Sequence, residues 1–347
     1  MVKTESTGML TVNPDQLQEI LWGTYQKREP KLFIAGSPGC GKTSLVYDTF
    51  ARHNVPVFVF QASLYDPVEI KGLPVFDTQK NLAKFVRFEE MPSQGEGVLF
   101  IDDLPHAPTQ TQNTFMRLIL EGIAGAWDLG GLFPITAGNR ASDRAGAKDF
   151  QSALSNRLVY LTLQNSYEHW RKWAIKKGLA PEVIAFLGSP IGSGMLNTFD
   201  SSRQINATER SWEKASQSMQ AVSSNTLRRL MIHGAIGDEA ASKFIGWLKI
   251  YDKLPDLGDI MGGKKIYPKE LDVMYAVATG LSTMLQAATP KERTKLYATM
   301  INYINDMPAG YVEMGVLMSK DMIVLDKDLF LNVADSKWAT RYPNLLQ

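Results

Sequence analysis

The chain has 347 residues, 44% apolar and 21% charged, the make-up of an ordinary globular protein of about two domains rather than a disordered, collagenous or fibrous one. Its 37 Lys and Arg stand against 36 Asp and Glu, with a net −2 up to residue 163 and +3 after it, so neither half carries the basic footprint of a protein held by nucleic-acid phosphates. A single cysteine, Cys40, excludes an internal disulfide and a cysteine zinc site and points to a reducing compartment.

The N-terminal MVKTESTGML lacks a charged-then-apolar signal pattern. The most apolar later stretch, Met274–Ala288, is interrupted by Thr279, Gly280, Ser282, Thr283 and Gln286. A soluble, cytoplasmic protein without membrane contact is therefore expected. The histidines, His53, His106, His169 and His233, fit no ligand spacing and read as surface or packing residues, so side chains alone supply no metal site.

In chain order, the first half alternates β-branched or aromatic runs with helical patterns, the signature of a parallel sheet covered by helices. Five strands are expected, at Lys31–Ala35, Val55–Phe60, Val98–Ile101, Phe133–Ala137 and Leu158–Leu163. The first runs into Gly36-Ser37-Pro38-Gly39-Cys40-Gly41-Lys42-Thr43, followed by Ser44 and a helical pattern. This is the G-x-x-x-x-G-K-[ST] P-loop, which a chain of this length matches by chance roughly once in a hundred. Its glycines let the backbone wrap a phosphate so that amides and a helix N-terminus face the anion. Lys42 would pair with β- and γ-oxygens, Thr43 would place its hydroxyl on Mg²⁺, and Cys40 reads as inert filler.

The third strand ends in Asp102-Asp103, the Walker B pattern: Asp102 would hold the magnesium shell and Asp103 would polarise the attacking water. Thr109 with Gln112 makes a capping-box pattern for a helix over Gln110–Glu121, stopped by Gly122. The fourth strand ends near Asn139, whose amide can both donate and accept at the γ-phosphate or the water. From Asn165 onward the β runs vanish. Asn165 with Glu168 can cap a helix through Lys177, and Pro181 suits the first turn of the next. A Gly-, Ser- and Asn-rich loop follows over Gly188–Ser202, then helices over Thr208–Ala221, Asn225–His233, Asp238–Tyr251, Glu270–Gln286 and Lys291–Asp306.

These elements in this order resemble the AAA+ ATPases, and within them the MoxR family, over most of the chain. Beyond the P-loop the likeness is carried by Leu64–Pro74, by Gly95–Pro108, by Ala137–Arg140 running into Ala153–Arg157, and by Thr208–Glu213. It implies an α/β fold: a P-loop NTPase αβα sandwich over residues 1–164, with a five-stranded parallel sheet in the order 5-1-4-3-2. An all-α lid domain with a C-terminal helical extension would occupy 165–347. It also implies an insertion within Gln61–Gln94, a hairpin over Gly122–Leu132, and ATP and Mg²⁺ as cofactors.

By the same resemblance Asn139 is sensor 1. Arg157, ending a helix before the fifth strand, is the arginine finger, with Arg140 and Arg144 as rivals, and Arg210 is sensor 2 in the lid. A finger implies a head-to-tail ring, a hexamer, or an open helical assembly. The family's partners are protein clients and von Willebrand factor A-type proteins. The departure is Asp103, where the family has glutamate: one methylene shorter, it could slow turnover on the order of 10²-fold if the carboxylate sits about 1 Å off. The expected function is therefore an ATP-hydrolysing motor that remodels a protein partner. The alternatives are a nucleotide-gated assembly protein with incidental hydrolysis and, against the charge balance, a nucleic-acid motor or helicase loader. The P-loop does not distinguish ATP from GTP.

Overall fold

A computed structural model describes residues 11–92, 95–140, 143, 157–251 and 253–345. The chain forms two units, Met1–Asn165 with Phe199–Ser202, and Ser166–Thr198 with Arg203–Gln347. In the first, Leu32–Ala35 is buried at every position, as a central strand covered on both faces requires. It is β2 of a six-stranded sheet that also contains β1 (Thr11–Val12), β3 (Val57–Gln61), β6 (Glu96–Asp102), β9 (Gly131–Gly138) and β10 (Val159–Leu163). The order is β1-β10-β2-β9-β6-β3, every pair parallel. The expected five strands are thus joined by a sixth at the edge, β1, whose two residues are too short to leave a periodic signal.

Alternate side chains divide between two cores, as the pleat dictates. Leu32, Ile34, Val98 and Phe100 meet α1 (Pro14–Lys27) and α2 (Lys42–Ala51) through Leu17, Leu21, Val46 and Phe50. Phe33, Ala35, Leu99 and Ile101 meet α4 (Thr109–Glu121) through Phe115, Leu118 and Ile119. The capping box expected at Thr109 does not form. Pro108 is the N-cap, and the Gln112 amide donates instead to the carbonyls of Ala107, at 2.9 Å, and Pro105. Gly122 ends α4 in the left-handed region, where only glycine pays no Cβ penalty.

Residues 61–92 hold a short α3 (Pro67–Lys71) and an antiparallel ribbon of β4 (Leu73–Asp77) and β5 (Leu82–Val86) that, among the described residues, pairs with no other strand. Leu73, Val75, Phe76, Leu82, Phe85 and Val86 on it are exposed. A second hairpin, β7 (Ile123–Ala124) and β8 (Trp127–Asp128), precedes β9.

The second unit is helical: α5 (Tyr167–Lys177), α6 (Pro181–Gly188), α7 (Glu209–Ala221), α8 (Asn225–Ile236), α9 (Asp238–Tyr251), α10 (Leu257–Met261), α11 (Leu271–Ala287), α12 (Pro290–Asn305), α13 (Val312–Leu325), α14 (Lys327–Val333) and α15 (Ser336–Arg341). The connection from α6 to α7 contains neither helix nor strand. Ser166, not Asn165, caps α5, its hydroxyl accepting from the His169 amide. Phe186, Trp212, Phe244 and Trp247 centre one core, and Tyr297, Met318, Met322 and Phe330 another. A buried Arg171 on α5 is paired through two nitrogens with Asp321 on α13, at 3.1 and 2.5 Å, and donates to Thr279 on α11 at 3.0 Å. Among the described residues no helix is long and apolar enough to cross a membrane.

Candidate nucleotide site

The register places Ala35 of β2 beside Gly138 of β9, and Gln61 of β3 beside Asp102 of β6, so the polar ends of four parallel strands share the C-terminal edge of the sheet, where such sheets bind ligands. The loop after β2 is shaped by its glycines. The Gly36 amide extends the ladder to the Gly138 carbonyl, and a Cβ at Gly36 would lie 2.8 Å from the Cys40 sulfur. Gly39 and Gly41 have φ of 77° and 92°, which a side chain would strain.

The loop delivers the chain into α2, ten residues long, whose N-terminus has no side-chain cap. Its first backbone bond runs from the Leu45 amide to the Gly41 carbonyl. The Lys42, Thr43 and Ser44 amides therefore stand at the positive end of the helix dipole, an arrangement suited to an anion.

Lys42 is 7% exposed, and its ammonium donates to the Gly36 carbonyl at 2.8 Å, the Ser37 carbonyl at 3.2 Å and Asn139 Oδ1 at 3.1 Å. These acceptors offset the cost of burying the charge. The Thr43 hydroxyl donates to Asp102 Oδ2 at 2.7 Å, and the other Asp102 oxygen accepts from the Asp103 amide at 2.9 Å. A hydroxyl and a carboxylate held together are hard oxygen donors of the kind Mg²⁺ takes alongside phosphate oxygens, so the residues present fit that ion.

Asp103 is in the left-handed region, φ 54°, one of the few side chains that tolerates it. Its Oδ2 accepts from Gln61 Nε2 at 3.2 Å. Its Oδ1 faces His106 Nδ1 at 3.7 Å. Arg140 reaches back to the P-loop, donating to the Ser37 hydroxyl, and pairs with Asp143 at 3.1 Å. Residues 32–158 match the model of the ATPase family associated with various cellular activities (AAA). The chain carries an AAA domain.

No curated protein matches the chain in sequence. Among solved structures it is similar to NtrX from Brucella abortus in complex with ADP, at 17% identity over 96% of this chain and 68% of that one, TM-score 0.34. It is also similar to a RuvB mutant from Thermotoga maritima, at 17% identity over 80% of this chain and 93% of that one, TM-score 0.36.

The AAA domain brings together Lys42, Thr43, Asp102, Asp103 and Asn139 from three separate segments. Ser37, Pro38 and Gly39 are half-buried in the loop, Cys40 is buried and Ser44 is exposed on α2. Arg157 is exposed in the turn before β10, and Arg210 is exposed in the first turn of α7, in the helical unit. Arg144 and the helix expected to end at Arg157 lie outside the described residues.

Two partners escaped the sequence reading. Gln61 is polar at the end of an apolar strand, the same signal that singled out Asn139. His106, read as a packing or surface residue, lies against Asp103 because a 3₁₀ turn over Leu104–His106 folds it back, a contact that spacing alone does not reveal.

Proposed function

We propose that the AAA domain binds Mg-ATP and hydrolyses it, and that the chain acts as a MoxR-type oligomeric motor that remodels or chaperones a protein partner. The observation that carries this reading is the pair of hydrogen bonds joining Thr43 to Asp102 and Lys42 to Asn139, which puts P-loop, acidic strand end and sensor position within one charge's reach. Residues 1–164 serve as the nucleotide-binding core and 165–347 as the lid and its extension.

In this reading Lys42 exchanges carbonyl partners for β- and γ-phosphate oxygens, and the amides at the start of α2 take the β-phosphate. Thr43 and Asp102 would hold Mg²⁺, which when bound neutralises phosphate charge and that developing on the transferred group. Asn139 orients the attacking water, and the Asp103 carboxylate polarises it. Arg157 acts as a finger on a neighbour's nucleotide and Arg210 as sensor 2, in a head-to-tail hexamer or helical assembly. A protein partner is favoured by the near-neutral charge and by the apolar side chains exposed on the β4–β5 ribbon, since clustered exposed apolar groups mark interaction surfaces.

ATP turnover measured at assembly-forming concentrations is expected to be lost in Lys42→Ala and strongly reduced in Arg157→Ala; turnover that persists in the first, or is untouched in the second, would sink the motor reading. A second reading, a nucleotide-gated assembly with incidental hydrolysis, is favoured by the short Asp103 side chain and the hold of Gln61 on it. Fast multiple turnover that disappears in Asp103→Asn argues against it.

A further inference from the structure

Asp103 is too short to reach as a glutamate would, yet its position is over-determined. Its amide is tied to Asp102, and its carbonyl accepts from the His106 amide at 2.9 Å. The turn between them is wedged: a Cβ at Gly138 would come within 2.3 Å of Pro105 Cδ, so the Pro105 ring lies flush against the end of β9. With the backbone fixed, only the carboxylate's own rotation remains.

Gln61 holds one carboxylate oxygen. The other faces the imidazole of His106, 19% exposed as a side chain and with Nδ1 itself shielded from solvent. At 3.7 Å the contact is about 0.5 Å beyond hydrogen-bond range, and catalytic hydrogen bonds are commonly long before substrate binds. The geometry points to His106 as a positioning residue for Asp103: its Nδ1–H engages Oδ1 and aims the carboxylate at the attacking water, offsetting the missing methylene. This rests on the hydrolytic reading of the site. The role is distinct from packing, because a packing residue would not act through one oxygen of one carboxylate.

The experiment is steady-state ATP turnover by the full chain, with ATP-analogue affinity and melting temperature measured on the same variants. His106→Ala should lower kcat about 10-fold or more while KM and analogue affinity stay within about 2-fold, since a misplacement near 1 Å costs on the order of 10²-fold. His106→Asn, whose amide can replace Nδ1, should recover most of that loss. In an Asp103→Glu background, His106→Ala should cost less than about 3-fold, because the longer acid no longer needs aiming. A wild-type-like kcat in His106→Ala overturns the proposal alone. So does a loss that falls equally on kcat and affinity, no recovery in His106→Asn, or the same cost in the Asp103→Glu background. Wild-type turnover that is absent, or independent of Lys42, overturns the hydrolytic reading and this proposal with it.

Discussion

Gly138 is where a single hydrogen atom decides the shape of the site. It ends β9, supplies the carbonyl that accepts from Gly36, and makes room for Pro105. In Gly138→Ala the new methyl meets the proline ring and, at 3.3 Å, the Phe33 ring. Neither can retreat through a flexible tip, so the overpacking should cost about 1–3 kcal/mol in denaturant unfolding and reduce ATP turnover by displacing Asp103; unchanged stability and rate would show that the turn yields freely. At this scale the P-loop was legible because its chemistry lies in eight consecutive residues. The surroundings of Asp103 were not, since Gln61 arrives from another strand 42 residues away and His106 only by the folding of a turn.

The elements show how far local chemistry predicts a helix boundary. Thr208 was expected at the start of α7, and there its hydroxyl accepts from the Ser211 amide while the Ser211 hydroxyl accepts from the Thr208 amide. Thr208→Ala should cost about 1 kcal/mol, read as a lowered unfolding midpoint, with ATP-analogue binding to the AAA domain retained; loss of binding in this variant would tie the cap directly to the site.

Asn165 and Thr109 offered equally good capping patterns and were passed over. Ser166 lies one residue closer to the first helical turn, and Gln112 finds stronger demand from the loop carbonyls of Pro105 and Ala107. Helices α13 to α15 were not placed from sequence. The buried stripe of α13 is Met314, Gly315, Met318, Ser319 and Met322, in which a glycine and a serine take core positions and blur the apolar period on which such readings depend.

Each unit of the molecule has its own apolar interior, and the helical one also contains a buried charge pair. Burial opposes the charge on Arg171, but Asp321 and Tyr167 hold its pKa above the ordinary arginine value. The pair cross-links α5, α11 and α13, with Ser282 donating to Asp321 at 2.6 Å. Removing one partner strands the other, so Asp321→Ala should destabilise the helical unit by about 3–5 kcal/mol. Calorimetry should show that loss in the helical transition, with the nucleotide-stabilised transition of the AAA domain unmoved. A loss below about 1 kcal/mol would mean water replaces the carboxylate. The switch from β to helical patterns was legible because it is a property of long stretches. A contact such as Arg171 with Asp321, 150 residues apart, is not.

The β4–β5 ribbon has a different kind of consequence. It is fastened at its root, where Gly72, with φ 93°, closes on the Val86 carbonyl, Met91 is fully buried and the Trp127 indole donates to the Pro92 carbonyl at 2.7 Å. Among the described residues, neither apolar core of the AAA domain includes any of residues 73 to 86, whose side chains lie almost wholly outside them. Sequence drift, lengthening or replacement there should leave the phosphate site and the sheet untouched. The ribbon is in that sense an interchangeable fitting: its fourteen residues, 73 to 86, can be rewritten without renegotiating the machinery beneath them.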